Sequence, residues 1–306
     1  MAVSTEITAL HRVEAWLYDA IIGRFERMPF DKASDAGADW VRALGPLTPP
    51  HKIALNNLRM AYPNETETWR ESVAREMWGE LGRWAAEFPH LPEISFAPGN
   101  GRVEMIGGEH LDAVRESGKG AVFISGHFAS FEIMPIAIVQ RGVRCRMTYR
   151  PLNNPIIDAK WGDVRRRYGA DLQAAKSIAG GLGLLRSLRE GVSVAIMNDQ
   201  KYNEGVAAPF FGRDAMTADG PARLAVRFGV PIIPMCIRRV NNKAQFRVEA
   251  FAPIVIDKNL GERQAVIDTV TKINQWVEAR VREAPAQWWW MHNRWPKDAW
   301  KQAGIV

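Results

Sequence analysis

The chain has 306 residues, 47% of them hydrophobic, and a formal net charge of +6. That is enough for one large domain or two small ones with an ordinary globular core. No apolar run approaches the roughly 20 residues a spanning helix needs. A basic balance points to an anionic partner: nucleic acid, an anionic membrane surface or an acidic protein. Its two cysteines, Cys145 and Cys236, lie in apolar strand-like runs with no metal-type spacing, and read as reduced core thiols in a cytoplasmic setting. The first residues lack the basic start, short apolar core and cleavage site of a secretory signal, so no cleaved leader is expected.

Residues 4–28 read as one amphipathic helix, with Ile7, Leu10, Val13, Leu17, Ile21 and Phe25 at spacings of three and four. Two readings stand for it: a surface helix packed on the core, or an interfacial helix lying on a membrane, which Trp16 and the basic flank favour. Short helices follow near 33–44 and 51–61. Asn64 and Thr66 are candidate caps for a longer helix over 67–88. Pro89, Pro92 and Pro98 mark a break, so 1–95 is a helical region and 96–306 a second part of what reads as one structural unit.

After Gly101 strands and helices alternate. Strands are expected at 102–106, 120–125, 143–150, 192–197, 231–240 and 245–251. Helices are expected at 108–117, from the turn after Gly126 to about 140, and at 155–168, 177–190, 219–229 and 262–282. Residues 201–217 read as a loop. This order implies an α/β fold, a mainly parallel central sheet with helices on both faces, preceded by the N-terminal helical region. Twelve tryptophans are present. Trp16, Trp69, Trp78, Trp84, Trp288, Trp289, Trp290, Trp295 and Trp300 fall where the chain reads as solvent-facing or terminal, a placement suited to a membrane interface.

The stretch "GAVFISGHFASFEIMP" (120–135) carries His127 and Glu132 just past a buried strand. On one helix, residues five apart point about 140° apart. Gly126 instead places His127 in the strand-to-helix turn, with Glu132 in the first turns of the helix. The carboxyl end of a strand is where open α/β sheets place their sites. There a carboxylate can accept the imidazole Nδ1–H and leave Nε2 free to take a proton from a hydroxyl. A capping or core-polar pair is the other reading. No G-x-S-x-G elbow, G-x-G-x-x-G loop, HExxH or Asp-rich metal loop is present, so serine catalysis, dinucleotide binding and a metal site lack support. Nucleic-acid binding has only the net charge behind it.

Further blocks occur in order: "IALNNLRMAYP" (53–63), "TYRPLNNP" (148–155), "MNDQ" (197–200), "PFFGRDAMTADGPARLAVRFGVPIIP" (209–234) and "QWWWMHNRW" (287–295). Together with H-x₄-E, the chain resembles the lipid A biosynthesis late acyltransferases (lauroyl and myristoyl transferases), within the glycerolipid-acyltransferase-like group, over roughly residues 50–300. The resemblance implies that fold and a fatty acyl transfer from an acyl-carrier-protein or coenzyme A thioester, the co-substrate, to a lipid hydroxyl. It implies no cofactor and no metal.

By family motif, His127 is the general base and Glu132 its partner. Asp199, beside Gln200 at the same sheet edge, is a rival or additional partner. Arg150 would stabilise the thioester oxyanion or hold a phosphate or carbonyl oxygen, and Asn154 would shape its loop. Phe210, Phe211, Gly212 and Thr217 would line the acyl or acceptor cleft. Each has a plainer reading: Arg150 a surface cation, Asp199 a turn residue, Gly212 a turn former, Phe210 and Phe211 core. His292 and Arg294 read as packing, and His11, His51, His90 and His110 as structural or surface.

Many family members begin with an apolar spanning helix, whereas residues 4–28 carry too much charge for one. A peripheral enzyme at the cytoplasmic face of the bacterial inner membrane is therefore expected, with an anionic membrane surface and a lipid acceptor as partners and no nucleic acid. The alternatives are a thioesterase or lipid hydrolase using the same base on water, or a non-catalytic lipid-binding protein.

Overall fold

A computed structural model describes residues 7–97, 99, 101–174 and 178–305. Residues 4–6 and Ser177, expected in helices, and Pro98, expected in a break, lie outside them. Four helices come first: α1 (Ala9–Glu26), α2 (Phe30–Leu44), α3 (Pro49–Ala61) and α4 (Glu67–Glu87). Thr8 caps α1 by accepting the His11 N–H at 3.2 Å. Thr66, rather than Asn64, caps α4 by accepting the Trp69 N–H at 3.1 Å.

The rest alternates: β1 (Val103–Ile106), α5 (Gly108–Ser117), β2 (Val122–Ser125), α6 (Ile133–Gln140), β3 (Cys145–Tyr149), α7 (Pro155–Arg167), β4 (Asp171–Ala174), α8 (Ile178–Arg189), β5 (Ser193–Met197), β6 (Lys201–Phe210), β7 (Arg213–Thr217), α9 (Gly220–Phe228), β8 (Ile232–Arg239), β9 (Phe246–Ala250), α10 (Glu262–Glu283) and α11 (Lys297–Gln302). Seven strands form one sheet in the order β1-β9-β8-β2-β5-β3-β4. Every pairing in it is parallel except β8 with β9. Central strand β2 is buried at all four positions, which explains its unbroken apolar run. The α/β architecture with a helical lead is the expected one. One large hydrophobic cluster, from Phe30 in α2 to Trp300 in α11, joins the lead to the sheet.

Three expectations fail. Residues 201–217 are not a loop but the antiparallel hairpin β6–β7. Gly205 and Pro209 interrupt any strand-like pattern there, and the two-residue turn is built by Phe211 and Gly212, both at positive φ (52° and 70°), as a type I′ turn requires. Edge strand β4 was not expected, because four residues reading DLQA, with no β-branched or aromatic residue, make too short an alternation to stand out. The tryptophans of the tail are not solvent-facing: Trp288, Trp290 and Trp295 are fully buried and Trp300 nearly so, as is Trp78 of α4. They fill the space between the helical lead, hairpin and sheet. Trp16 does stand in solvent.

Candidate active site

The C-terminal ends of β2 and β5 lie side by side, with Ser125 paired to Met197. Two residues past each end stand His127 and Asp199. The imidazole Nδ1 lies 2.8 Å from Asp199 Oδ1, and Asp199 Oδ2 accepts the His127 backbone N–H at 2.7 Å. The Trp288 indole N–H donates to Oδ2 at 2.8 Å. Gly126 makes this approach possible: a Cβ there would sit 3.1 Å from Asp199 Oδ2 and 2.8 Å from the Phe128 ring.

The loop carrying His127 is held by the chain's tail. Trp289 N–H donates to the His127 carbonyl at 3.2 Å, and the Gln287 carbonyl accepts Ala129 N–H at 2.7 Å. Ala129 sits at φ 39°, a region costly for a residue with a Cβ and kept only where the surroundings enforce it. The rings of Phe131 and Trp289 flank the imidazole at 4.9 and 5.4 Å between centroids.

Burial works against charge on both members of the pair, and their mutual attraction overrides it. For Asp199, desolvation pushes the pKa up, but the charge and hydrogen bond of His127 leave it well below the usual carboxylate range. For His127, desolvation pushes the pKa down, and the Asp199 charge, its hydrogen bond and then the Glu132 charge bring the net shift above the ordinary value. With Nδ1 occupied, Nε2 has no hydrogen-bond partner among the described residues.

Glu132 does not touch His127. It stands at the N-cap of α6, just before the helix rather than in its first turns, and is buried. Its oxygens take Arg165 of α7, with Nε on Oε2 at 3.1 Å and Nη2 on Oε1. The Arg165 guanidinium also lies near the rings of Phe88, Trp161 and Tyr149. Glu132 and Arg165 stand in the wall of a largely apolar cavity, together with Phe131, Met147, Leu172 and Ala195. Phe131 has one side on this cavity and the other on the imidazole.

The remaining expected residues are dispersed. Arg150 is exposed past the end of β3, without a hydrogen-bond or ion-pair partner among the described residues. Gln200 is exposed beside Asp199. Asn154 is buried as the cap of α7, accepting the N–H groups of Ile156 and Ile157, and its amide donates to Glu14 and the His11 carbonyl, tying α1 to the domain. Phe210, Phe211 and Thr217 are buried in the hairpin. Phe210 packs on Trp288 and Trp295, and Phe211 on Tyr62. None of the four hairpin residues, Gly212 included, lies in the wall of the cavity. Thr217 instead accepts from Arg294, which is fully buried. His292 packs on Trp288, and burial lowers its pKa to about 4.

Sequence reasoning missed Arg165, Gln287 and Trp288 as parts of the site. Arg165 opens a run of three arginines that nothing in the pattern ranks. The tail's aromatic run was visible, but not the strand end it would reach.

A base oriented from behind by a buried carboxylate, with its outer nitrogen free and an apolar cavity alongside, is equipped to deprotonate a hydroxyl or water next to a bound hydrocarbon chain. The chain is similar to several known proteins. The profile of the bacterial lipid A biosynthesis acyltransferases matches residues 1–297. A lipid A biosynthesis acyltransferase of Haemophilus influenzae is 24% identical over 240 residues, 78% of this chain and 73% of its own. The lipid A biosynthesis lauroyltransferase of Escherichia coli K12 is 25% identical over 253 residues, 79% of this chain and 78% of its own. Its myristoyltransferase is 23% identical over 240 residues, 78% and 72% respectively. Among solved structures, the 1-acyl-sn-glycerophosphate acyltransferase PlsC of Thermotoga maritima aligns over 81% of this chain and 99% of its own, at 13% identity and a TM-score of 0.39. The chain belongs to the bacterial lipid A biosynthesis acyltransferase family.

Proposed function

We propose that the protein is an O-acyltransferase that moves a fatty acyl group from an acyl-carrier-protein or coenzyme A thioester to a hydroxyl of a lipid A-like membrane lipid. The observation that carries this is the His127–Asp199 pair, with no partner on Nε2 among the described residues, beside a largely apolar cavity. Nε2 takes the proton of the acceptor hydroxyl as its oxygen attacks the thioester carbonyl. The tetrahedral intermediate collapses, the C–S bond breaks, and the imidazolium returns the proton to the leaving thiolate. Asp199 stays ionised and stabilises the imidazolium. Arg150, exposed and without a partner among the described residues, meets the oxyanion or a phosphate of either substrate. The acyl chain occupies the cavity behind Phe131. Glu132 acts at one remove: it holds Arg165 in the cavity wall and adds its charge to the imidazolium.

The enzyme works from the cytoplasmic face of the inner membrane, resting on an anionic bilayer. No described helix is long and apolar enough to cross a membrane. In α1, Leu10, Val13, Trp16, Leu17 and Ile21 are exposed on one side, while Ala15 and Phe25 pack inward. An exposed apolar stripe on a chain of net charge +6 suits an anionic lipid surface. The test is acyl transfer from acyl-carrier-protein and from coenzyme A thioesters to a lipid A precursor, with wild type and His127→Ala. Transfer that is lost in a folded His127→Ala variant supports the reading. Free fatty acid released at a rate independent of acceptor would make the protein a hydrolase, and retained transfer would remove His127 as the base.

A further inference from the structure

A second buried ionic cluster lies behind the dyad. Arg239 of β8, its side chain wholly buried, is held between Glu80 and Glu87 of α4. Its Nε donates to Glu80 at 2.9 and 3.1 Å, Nη1 to Glu87 Oε1 at 2.7 Å and Nη2 to Glu87 Oε2 at 3.0 Å. Glu87 accepts two hydroxyls as well. Ser34 of α2 donates to Oε1 at 2.6 Å, and Ser130 donates to Oε2. Arg239 Nη2 also reaches the Ser130 oxygen at 3.2 Å. Ser130 is buried, three residues past His127 on the same loop.

Arg239 reaches that loop by a second route. Its backbone N–H donates to Gln287 Oε1 at 2.8 Å and its carbonyl accepts Gln287 Nε2 at 3.1 Å. The Gln287 carbonyl in turn accepts Ala129 N–H. The positive φ of Ala129 therefore lies between two anchors that both lead to Arg239.

The geometry points to Ser130 as a positioning residue for His127: its hydroxyl ties the catalytic loop to the Glu87–Arg239 pair, so that helical lead and sheet together hold the base in place. This rests on the reading of His127 as the base. A charged, fully desolvated anchor suits the task, since charge-assisted hydrogen bonds are short and directional. Removing the hydroxyl leaves the carboxylate its other partners but frees the loop at one end, and small misplacements of a reacting group are costly in rate.

Ser34 supplies the matched control. It is as buried as Ser130, donates to the other oxygen of the same carboxylate and likewise accepts from an arginine, Arg83 at 3.0 Å, but it lies on α2 and not on the loop. Ser130→Ala is expected to lower kcat about tenfold or more with the thioester KM little changed. Ser34→Ala is expected to keep kcat within about twofold while losing a similar amount of Tm, each having deleted one hydrogen bond to Glu87. Equal kcat losses in the two variants, or none in Ser130→Ala, would overturn the role. His127→Ala in the same assay separates the two ideas. If it is active, the base itself is misassigned and the positioning role falls with it. If it is inactive beside an unimpaired Ser130→Ala, only the positioning role falls.

Discussion

Asp199 meets His127 at two atoms at once, Oδ1 on Nδ1 at 2.8 Å and Oδ2 on the backbone N–H at 2.7 Å. The second contact ties the carboxylate to the loop, so the first cannot rotate away. The first contact fixes the tautomer, with the proton on Nδ1 and the lone pair on Nε2 facing outward. Asp199→Asn keeps the shape but offers an amide in place of two acceptors. Its kcat is expected to fall by roughly 10³-fold or more, by the logic of other carboxylate–histidine pairs. Steady-state kinetics on one thioester measure this, and a loss under tenfold in a folded variant would remove Asp199 as the orienting group.

The raised pKa of His127 sets the pH dependence. The base must be neutral, so kcat/KM rises with pH and levels off above the folded value, with a midpoint above the ordinary ~6.5. Asp199→Asn should move that midpoint down, because burial then acts unopposed by the nearest charge. Glu132→Gln should move it less, its influence ranking behind Asp199. The stability signs follow. A raised histidine pKa stabilises fully below about 6.5 and loses that contribution as pH rises through the folded value, while a depressed carboxylate pKa stabilises above about 3.9 and loses it as pH falls. The Tm gap between wild type and Asp199→Asn should thus be widest between about pH 4 and 6.5 and narrow above. Titration of the His127 ring by NMR decides the order. A larger shift for Glu132→Gln would reverse the assignment.

Gly126 is a steric prediction. An added Cβ meets Asp199 Oδ2 and the Phe128 ring, both packed in place by Trp288 and its neighbours. Gly126→Ala is expected to cost about 1–3 kcal/mol of stability, as overpacking does, and to lower kcat by pushing the dyad apart. Thermal unfolding and kinetics test the two together. A variant with wild-type kcat would mean that the Asp199 contact tolerates displacement.

The parallel sheet was legible because its strands are short apolar runs set between capped helices, and β2, β5 and β8 fell where the pattern put them. The turn at Gly126 was legible for the same reason, and it places His127 correctly. The partner was less so. Glu132 is close in sequence, but the loop spends residues 127–132 turning and the carboxylate ends on the side of Arg165. Asp199 comes from the neighbouring strand end, and only strand pairing brings it in. Arg239, Glu80 and Glu87 are separated by up to 159 positions, and no local pattern marks charged residues as buried partners. The tail tryptophans misled because an aromatic run at a chain end suits an interface and a core equally well.

The exposed stripe of α1 predicts lipid binding separable from chemistry. A triple variant, Leu10→Ser, Val13→Ser and Leu17→Ser, changes exposed residues outside the buried core, so the protein should stay folded. Sedimentation with phosphatidylglycerol vesicles should fall severalfold, while hydrolysis or transfer with soluble short-chain substrates stays within about twofold. Undiminished vesicle binding would place the lipid-facing surface elsewhere.

The cavity makes a two-sided prediction about chain length. Ala195 and Leu172 both line it, and Ala195 pairs with Phe123 of β2 and Met147 of β3, so a larger side chain there grows into the empty space. Each methylene held in such a cavity is worth about 0.8 kcal/mol, or nearly fourfold in affinity. Ala195→Phe should therefore shift the preference between fourteen- and ten-carbon thioesters toward the shorter chain by on the order of 10- to 100-fold. Leu172→Ala should move it toward longer chains. Competition between mixed thioesters, read by mass spectrometry of the acylated lipid, gives the ratio directly. Because the two substitutions act in opposite directions, general destabilisation cannot mimic the pair, and an unchanged ratio in both would mean that the acyl chain binds outside this cavity.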